Sequence, residues 1–281
     1  MADTVDSRLA TSRAERARKA GWSVVTNYLA RGLTLVIYLI SVPLTLNYLD
    51  KERYGLWLTI NSIVAYLSVA DLGLGLGLQN RIAEARGRGE EAKTGELLST
   101  AFLAAVVVGL LVAGIGVAVI WLAPLGQWFH LSSARIETEL RNTLIVIAVT
   151  FAYLLPARMI NSAQIGFQES YFGDLWSIGG SVMSFLALLV VITSKGDMML
   201  LALTSFTLAQ LLNVANIWHF LRRHPYARLC WRKVRLRQLS HLFSIGWQFF
   251  VLQVCTLIIW QTDNLVIATQ RRADQVVPYA V

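Results

Sequence analysis

Seven apolar stretches run through the chain, at about 24–48, 54–78, 97–123, 142–166, 175–194, 198–221 and 243–268. A helix of roughly 20 apolar residues matches the hydrocarbon thickness of a bilayer, so each stretch is a candidate transmembrane helix. That pattern restricts the chain to an all-α integral membrane architecture. Composition agrees: 56% of residues are hydrophobic and 15% charged, against roughly 45–50% and about 25% in a soluble domain.

Charge spacing sharpens the spans. Asp174 and Lys195 enclose 20 uncharged residues, Asp197 and Arg222 enclose 24, and Arg237 and Asp263 enclose 25. The uncharged interval 97–130 is longer than one crossing requires, so its later part, with Pro124, Gly126 and His130, is expected at an interface. Helices five and six must form a tight hairpin through 194–197.

Lys and Arg are distributed unevenly. Arg8, Arg13, Arg16, Arg18 and Lys19 precede the first span, four cations follow the second, and seven fill 222–237. With the N-terminus inside, 16 lie in cytoplasmic segments against seven outside, the remaining two being Arg31 and Arg158 within spans. The positive-inside rule therefore places the N-terminus in the cytoplasm. The net charge of +8 is read as topology and anionic-lipid contact rather than nucleic-acid binding. The polar N-terminal segment is too long for a signal peptide, and the first span reads as a retained anchor.

Division follows from this order: a basic N-terminal segment over 1–21, a six-helix bundle over 22–221, a basic loop over 222–242, and the first helix of a second bundle over 243–281. Residues 276–281 (VVPYAV) look like the start of a further apolar run, and we expect a C-terminally incomplete protein. Gly21, Trp22 and Tyr54 recur as Gly246, Trp247 and Tyr279 at a shift of 225 residues, which corresponds to six spans. Duplicated bundles with a site between them are a common transporter plan.

Ionisable groups at membrane depth are costly and therefore mark functional positions. Arg31 and Arg158 are candidates for one cavity, where a guanidinium fork suits a pyrophosphate better than Lys does. The alternatives are snorkelling for Arg31 and a structural pairing for Arg158. Asn161 and Gln164, a turn beyond Arg158, are candidates to bind sugar hydroxyls or to join helices. Asp263 in the seventh span is a candidate proton or sodium coupling group, or an interfacial carboxylate. The run from Asp71 to Asn80 lacks the Lys-Ser/Thr of a phosphate loop. Its Gly73, Gly75 and Gly77 permit either close packing or a hinge. The histidines are scattered, Cys230 and Cys255 are far apart, and neither a metal spacing nor a catalytic constellation occurs. We therefore expect no enzyme and no cofactor, beyond a possible ion gradient.

Residues 50–57 (DKERYGLW) followed by 66–75 (YLSVADLGLG) resemble the early helices of bacterial Wzx-type polysaccharide and O-antigen flippases, of the multidrug/oligosaccharidyl-lipid/polysaccharide exporter superfamily. Residues 157–166 with Gln168, and 262–267 (TDNLVI), are similar to later segments of that family. The resemblance implies a transporter of about twelve or more helices in two bundles. It would move undecaprenyl-pyrophosphate-linked oligosaccharide across the bacterial inner membrane by alternating access, for O-antigen or exopolysaccharide synthesis. Its partners would be the lipid-linked substrate, membrane lipids and polysaccharide polymerase or chain-length machinery. Alternatives are a drug or cation antiporter of the same superfamily and a membrane polymerase or glycosyltransferase.

Overall fold

The structure, a computed structural model, describes the backbone of residues 2–67 and 70–270 and the side chains of 18, 21–67, 70–208 and 210–256. The described backbone is helical without strands. Five segments are long and apolar enough to cross a membrane: Gly21–Tyr48, Glu91–Leu122, Ala134–Gly166, Ser170–Thr193 and Met198–Arg223. The first is the apolar part of α1 (Ala2–Tyr48), and the seventh apolar stretch lies within a helix at Leu236–Gln270.

The second stretch does not form one continuous helix. It is divided into α2 (Lys51–Leu67) and α3 (Leu74–Gly87). Between them Leu72 and Gly73 adopt left-handed backbone conformations, with φ of 53° and 76°. Such a break leaves main-chain amides without helical partners, which is costly inside a membrane. The Asp71 carboxylate supplies acceptors, taking the amides of Gly73 and Gly75 at 3.2 Å each.

α4 (Glu91–Leu122) and α6 (Ala134–Gly166) form the central seam; the single turn α5 (Leu125–Trp128) lies between them. Ala101, Ala105, Gly109 and Ala113 recur every fourth residue on α4 and are all buried. This spacing aligns small residues along one face and lets two backbones approach. Pro156 inside α6 removes the bond that the Ala152 carbonyl would accept. That carbonyl faces Gly109, where a Cβ would sit only 2.8 Å from it.

α7 (Ser170–Thr193) packs beside α1, and Thr26 donates to Asp174 at 3.0 Å across that contact. The sixth crossing begins as α8 (Met198–Ala202), widens into a π-helical turn over Leu203–Leu208, and continues as α9 (Ala209–Arg223). Asp197 caps α8 by accepting the Leu200 amide, making the short hairpin from α7. α10 (Leu236–Gln270) returns along α2, α3 and α4.

Burial is inverted relative to a soluble protein. Leu122, Val190, Leu110, Ile115 and Leu211 are exposed on the outer surface, while α6 at the centre is the most enclosed of the spans. An apolar exterior on this scale is stable only against lipid or another apolar surface.

Candidate functional site

The bundle has two polar ends and a sparse polar layer between them. Between those ends, the turn before α3 and helix α6 bring Asp71 and Arg158 into electrostatic range of one another. Asp71 is 8% exposed. Gly75 makes room for this layer, since a Cβ there would lie 2.8 Å from the Ser162 hydroxyl and 3.0 Å from the Asp71 carboxylate. Gly73 and Gly77 face the other way. A Cβ on Gly73 would run into the Gly246 main chain, and one on Gly77 would sit 2.5 Å from the Leu242 carbonyl. The glycine run thus divides its faces between α6 and α10.

One turn along α6, Asn161 and Gln164 meet Asn216 of α9. The Asn216 amide donates to Asn161 at 3.0 Å and to Gln164 at 3.3 Å, and Gln164 donates back at 2.6 Å. Gln164 and Asn216 are buried, so the pairing satisfies groups that would otherwise be stranded.

Arg31 stands apart from this layer. It is exposed on α1, with no ion pair or hydrogen bond of its side chain among the described residues. Helical spacing places it on one stripe with Tyr28 and Tyr38, both also exposed. Val25, Leu29, Val36 and Ile40 form a separate aliphatic stripe of the same helix. No described contact joins Arg31 to Arg158. Asp263 lies outside the described residues.

At the end bearing most of the Arg residues, Phe167 at the α6 terminus is enclosed by Phe220, His224 and Tyr226. Arg86 lies over its ring at 4.6 Å and donates to its carbonyl at 2.8 Å. Buried His224 meets buried Glu169 at 2.9 Å and the Tyr226 hydroxyl at 3.0 Å. Burial raises the Tyr226 hydroxyl above its ordinary pKa, against the opposing pull of Arg86. The loop before α10 is anchored to α4, where the Cys230 and Arg235 amides donate to Ser99 and Thr100.

Sequence reasoning missed Asp71 as a partner for Arg158, Asn216 as a partner for the two amides, and the Glu169–His224 pair. Asp71 carried a signal in standing immediately before the glycine run. The other pairings depend on which helices become neighbours.

The family model described as polysaccharide biosynthesis protein matches residues 17–280. The chain belongs to that family. Its fold is similar to an outward-facing multidrug resistance MATE family transporter of the MOP superfamily, with a TM-score of 0.71 and 11% identity over 85% of this chain and 53% of that one. An inward-facing MATE family transporter gives a TM-score of 0.71 and 13% identity over 86% and 55%. A MOP superfamily transporter from Pyrococcus furiosus, whose binding pocket is described as reversed in polarity, gives 0.70 and 12% over 85% and 53%. The family member described here therefore shares its fold with these structures and spans about half their length. No curated protein matches it in sequence.

Proposed function

We propose that the chain supplies the first bundle and the opening helix of the second bundle of a flippase that carries an undecaprenyl-pyrophosphate-linked oligosaccharide across the bacterial inner membrane. The observation that carries this reading is the placing of buried Asp71, just before α3, within electrostatic range of Arg158 on α6, in a transporter-like fold within a polysaccharide biosynthesis family. A guanidinium at membrane depth offers a fixed charge and paired donors to a pyrophosphate. Asp71 neutralises it while no substrate is present. The exposed Tyr28–Arg31–Tyr38 stripe of α1 offers a second cation to the same substrate.

In this reading residues 22–221 are the first bundle, α10 begins the second, and the basic end is cytoplasmic. Gly73, Gly75 and Gly77 serve as the hinge, Asp263 or Asp71 takes the coupling proton or sodium ion, and polymerase or chain-length proteins receive the product. The test uses the full-length protein. Arg31→Ala with Arg158→Ala should abolish surface polysaccharide and accumulate lipid-linked repeats. Normal surface glycan at equal expression discards the assignment.

The likeness to multidrug transporters favours one second reading, a drug or cation antiporter with Asp71 as its proton-exchanging acid. That alternative predicts changed dye retention in an Asp71→Asn strain with surface glycan intact.

A further inference from the structure

A cleft of about 310 Å³ opens at the basic end, between the α3–α4 turn and the start of α10. α3 contributes Arg81, Glu84 and Arg88, the start of α4 contributes Lys93 beside Glu90, and α10 contributes Arg237 and His241. Glu84 accepts from both Arg81 at 3.0 Å and Arg88 at 2.7 Å, while Glu90 accepts from Lys93 at 2.7 Å. Two carboxylates thus serve three cations, and Arg237 adds a fourth whose side chain makes no ion pair among the described residues. The Arg81 Nε–H is buried and has no hydrogen-bond partner there. The lining therefore repels cations, offers little to an apolar ligand, and leaves guanidinium donors directed at no acceptor.

Depth narrows the ligand further. Trp231 and Leu236, on the segment leading into α10, are exposed, as are Trp247, Val251 and Leu252 farther along that helix. Indole rings at such a position mark a headgroup boundary, with the aliphatic zone beyond it. The two walls belong to helices whose backbones touch at Gly73–Gly246 and Gly77–Leu242. Arg81 and Arg88 on one wall face Arg237 on the other, so an anion between them would relieve like-charge repulsion and tie α3 to α10.

We propose that this cleft is a phosphate-binding site that captures the headgroup of an anionic membrane lipid and clamps α3 against α10. The site lies apart from Arg158, and the proposal holds whatever the protein transports. The ligand would be a phosphodiester or phosphomonoester, held bidentately by Arg81 or Arg88 and by Arg237. Its lipid source is separable from free phosphate by experiment.

The full-length protein, purified in a neutral detergent, would be titrated with phosphatidylglycerol, with phosphatidylcholine and with inorganic phosphate, and bound lipid read by native mass spectrometry. Phosphatidylglycerol should be retained and should raise the unfolding midpoint, whereas phosphatidylcholine should do neither. Arg81→Gln with Arg237→Gln should weaken retention by about tenfold or more. Arg135→Gln with Lys195→Gln, at the opposite end, should leave it unchanged, which controls for non-specific charge. Displacement of bound lipid by excess inorganic phosphate would support recognition through the phosphate itself. Equal retention of both lipids, or equal loss in the two double variants, would overturn the proposal. If Arg81→Gln with Arg237→Gln does not fold, Arg237→Gln alone, at an exposed position, carries the same comparison.

Discussion

The two ends of the bundle handle charge in opposite ways. At the end opposite the basic loop, Arg53 donates to Glu139 at 2.8 and 3.0 Å and to Asp50 at 2.6 Å. Glu52 accepts the amide and hydroxyl of Ser132 at 2.9 and 2.6 Å, and the Tyr48 hydroxyl donates to the Gly196 carbonyl. Three inter-helix turns are thereby tied into one lattice in which each acid has a donor. At the basic end a buried knot around Phe167 and Glu169 helps to hold the helices, and the surrounding Arg and Lys residues outnumber the acids. Paired charge fixes turns; surplus charge is left to interact with something outside the chain. The first arrangement suits a structural closure, the second an anionic surface.

Several measurements would break or sharpen that contrast. The largest effect is expected at the joint between the ends. Gly73→Ala combines a left-handed φ with a collision against the Gly246 backbone, and should cost about 2–5 kcal/mol. Gly89→Ala at the basic end has a similar φ of 74° but open space around it, and should cost only about 1 kcal/mol. Unfolding midpoints in detergent would compare the two; equal losses would mean that the backbone contact contributes nothing.

Next comes Glu169→Ala, which takes from buried His224 one of its two partners in the basic-end knot and from half-exposed Arg223 a contact at 3.6 Å. Leaving a buried ring nitrogen without its partner should cost about 2–3 kcal/mol. Glu139→Ala at the opposite end should cost less, about 1–2 kcal/mol, because Arg53 is partly solvated and keeps Asp50. If Glu139→Ala proved the more damaging, the ranking of knot over lattice would be reversed.

Acid tests the lattice separately. Burial alone would raise the Asp50 carboxyl, but the Arg53 amide and guanidinium outweigh it and hold the group below its ordinary pKa. A depressed carboxylate contributes fully above the unfolded value of about 3.9 and loses that contribution as pH falls through the lower folded value. Stability of the wild type relative to Asp50→Asn should therefore be constant from neutral pH down to about pH 5 and converge only below about pH 4. The smallest effect belongs to Arg232→Gln, exposed at the basic end, which should alter folding stability by no more than about 0.5 kcal/mol. Protease accessibility of the basic loop in sealed vesicles would report whether orientation weakens as such residues are neutralised in series.

Most crossings were legible because a long apolar run has few other uses: five of the seven stretches coincide with helices long and apolar enough to span, and the seventh lies within α10. The interruption of the second was only partly legible. Its glycines announced deformability, but apolar residues on both sides of Asp71 hide a break whose amides that carboxylate satisfies. The centrality of α6 was not legible, since every span is apolar and lipid-facing leucines look like packed ones. Alanine and glycine at every fourth position of α4 carried that information, more faintly than hydropathy. The polar partners were the hardest to foresee: Asn161 and Gln164 meet Asn216 from more than 50 residues away, through a neighbour relation that no local pattern encodes.

The bare contact between α3 and α10 has a mechanical consequence. Side chains between helices act as cushions, absorbing small displacements through rotamer changes. Where Gly73 meets Gly246 there is no cushion, so a push on α10 is delivered undamped to the elbow that carries Asp71.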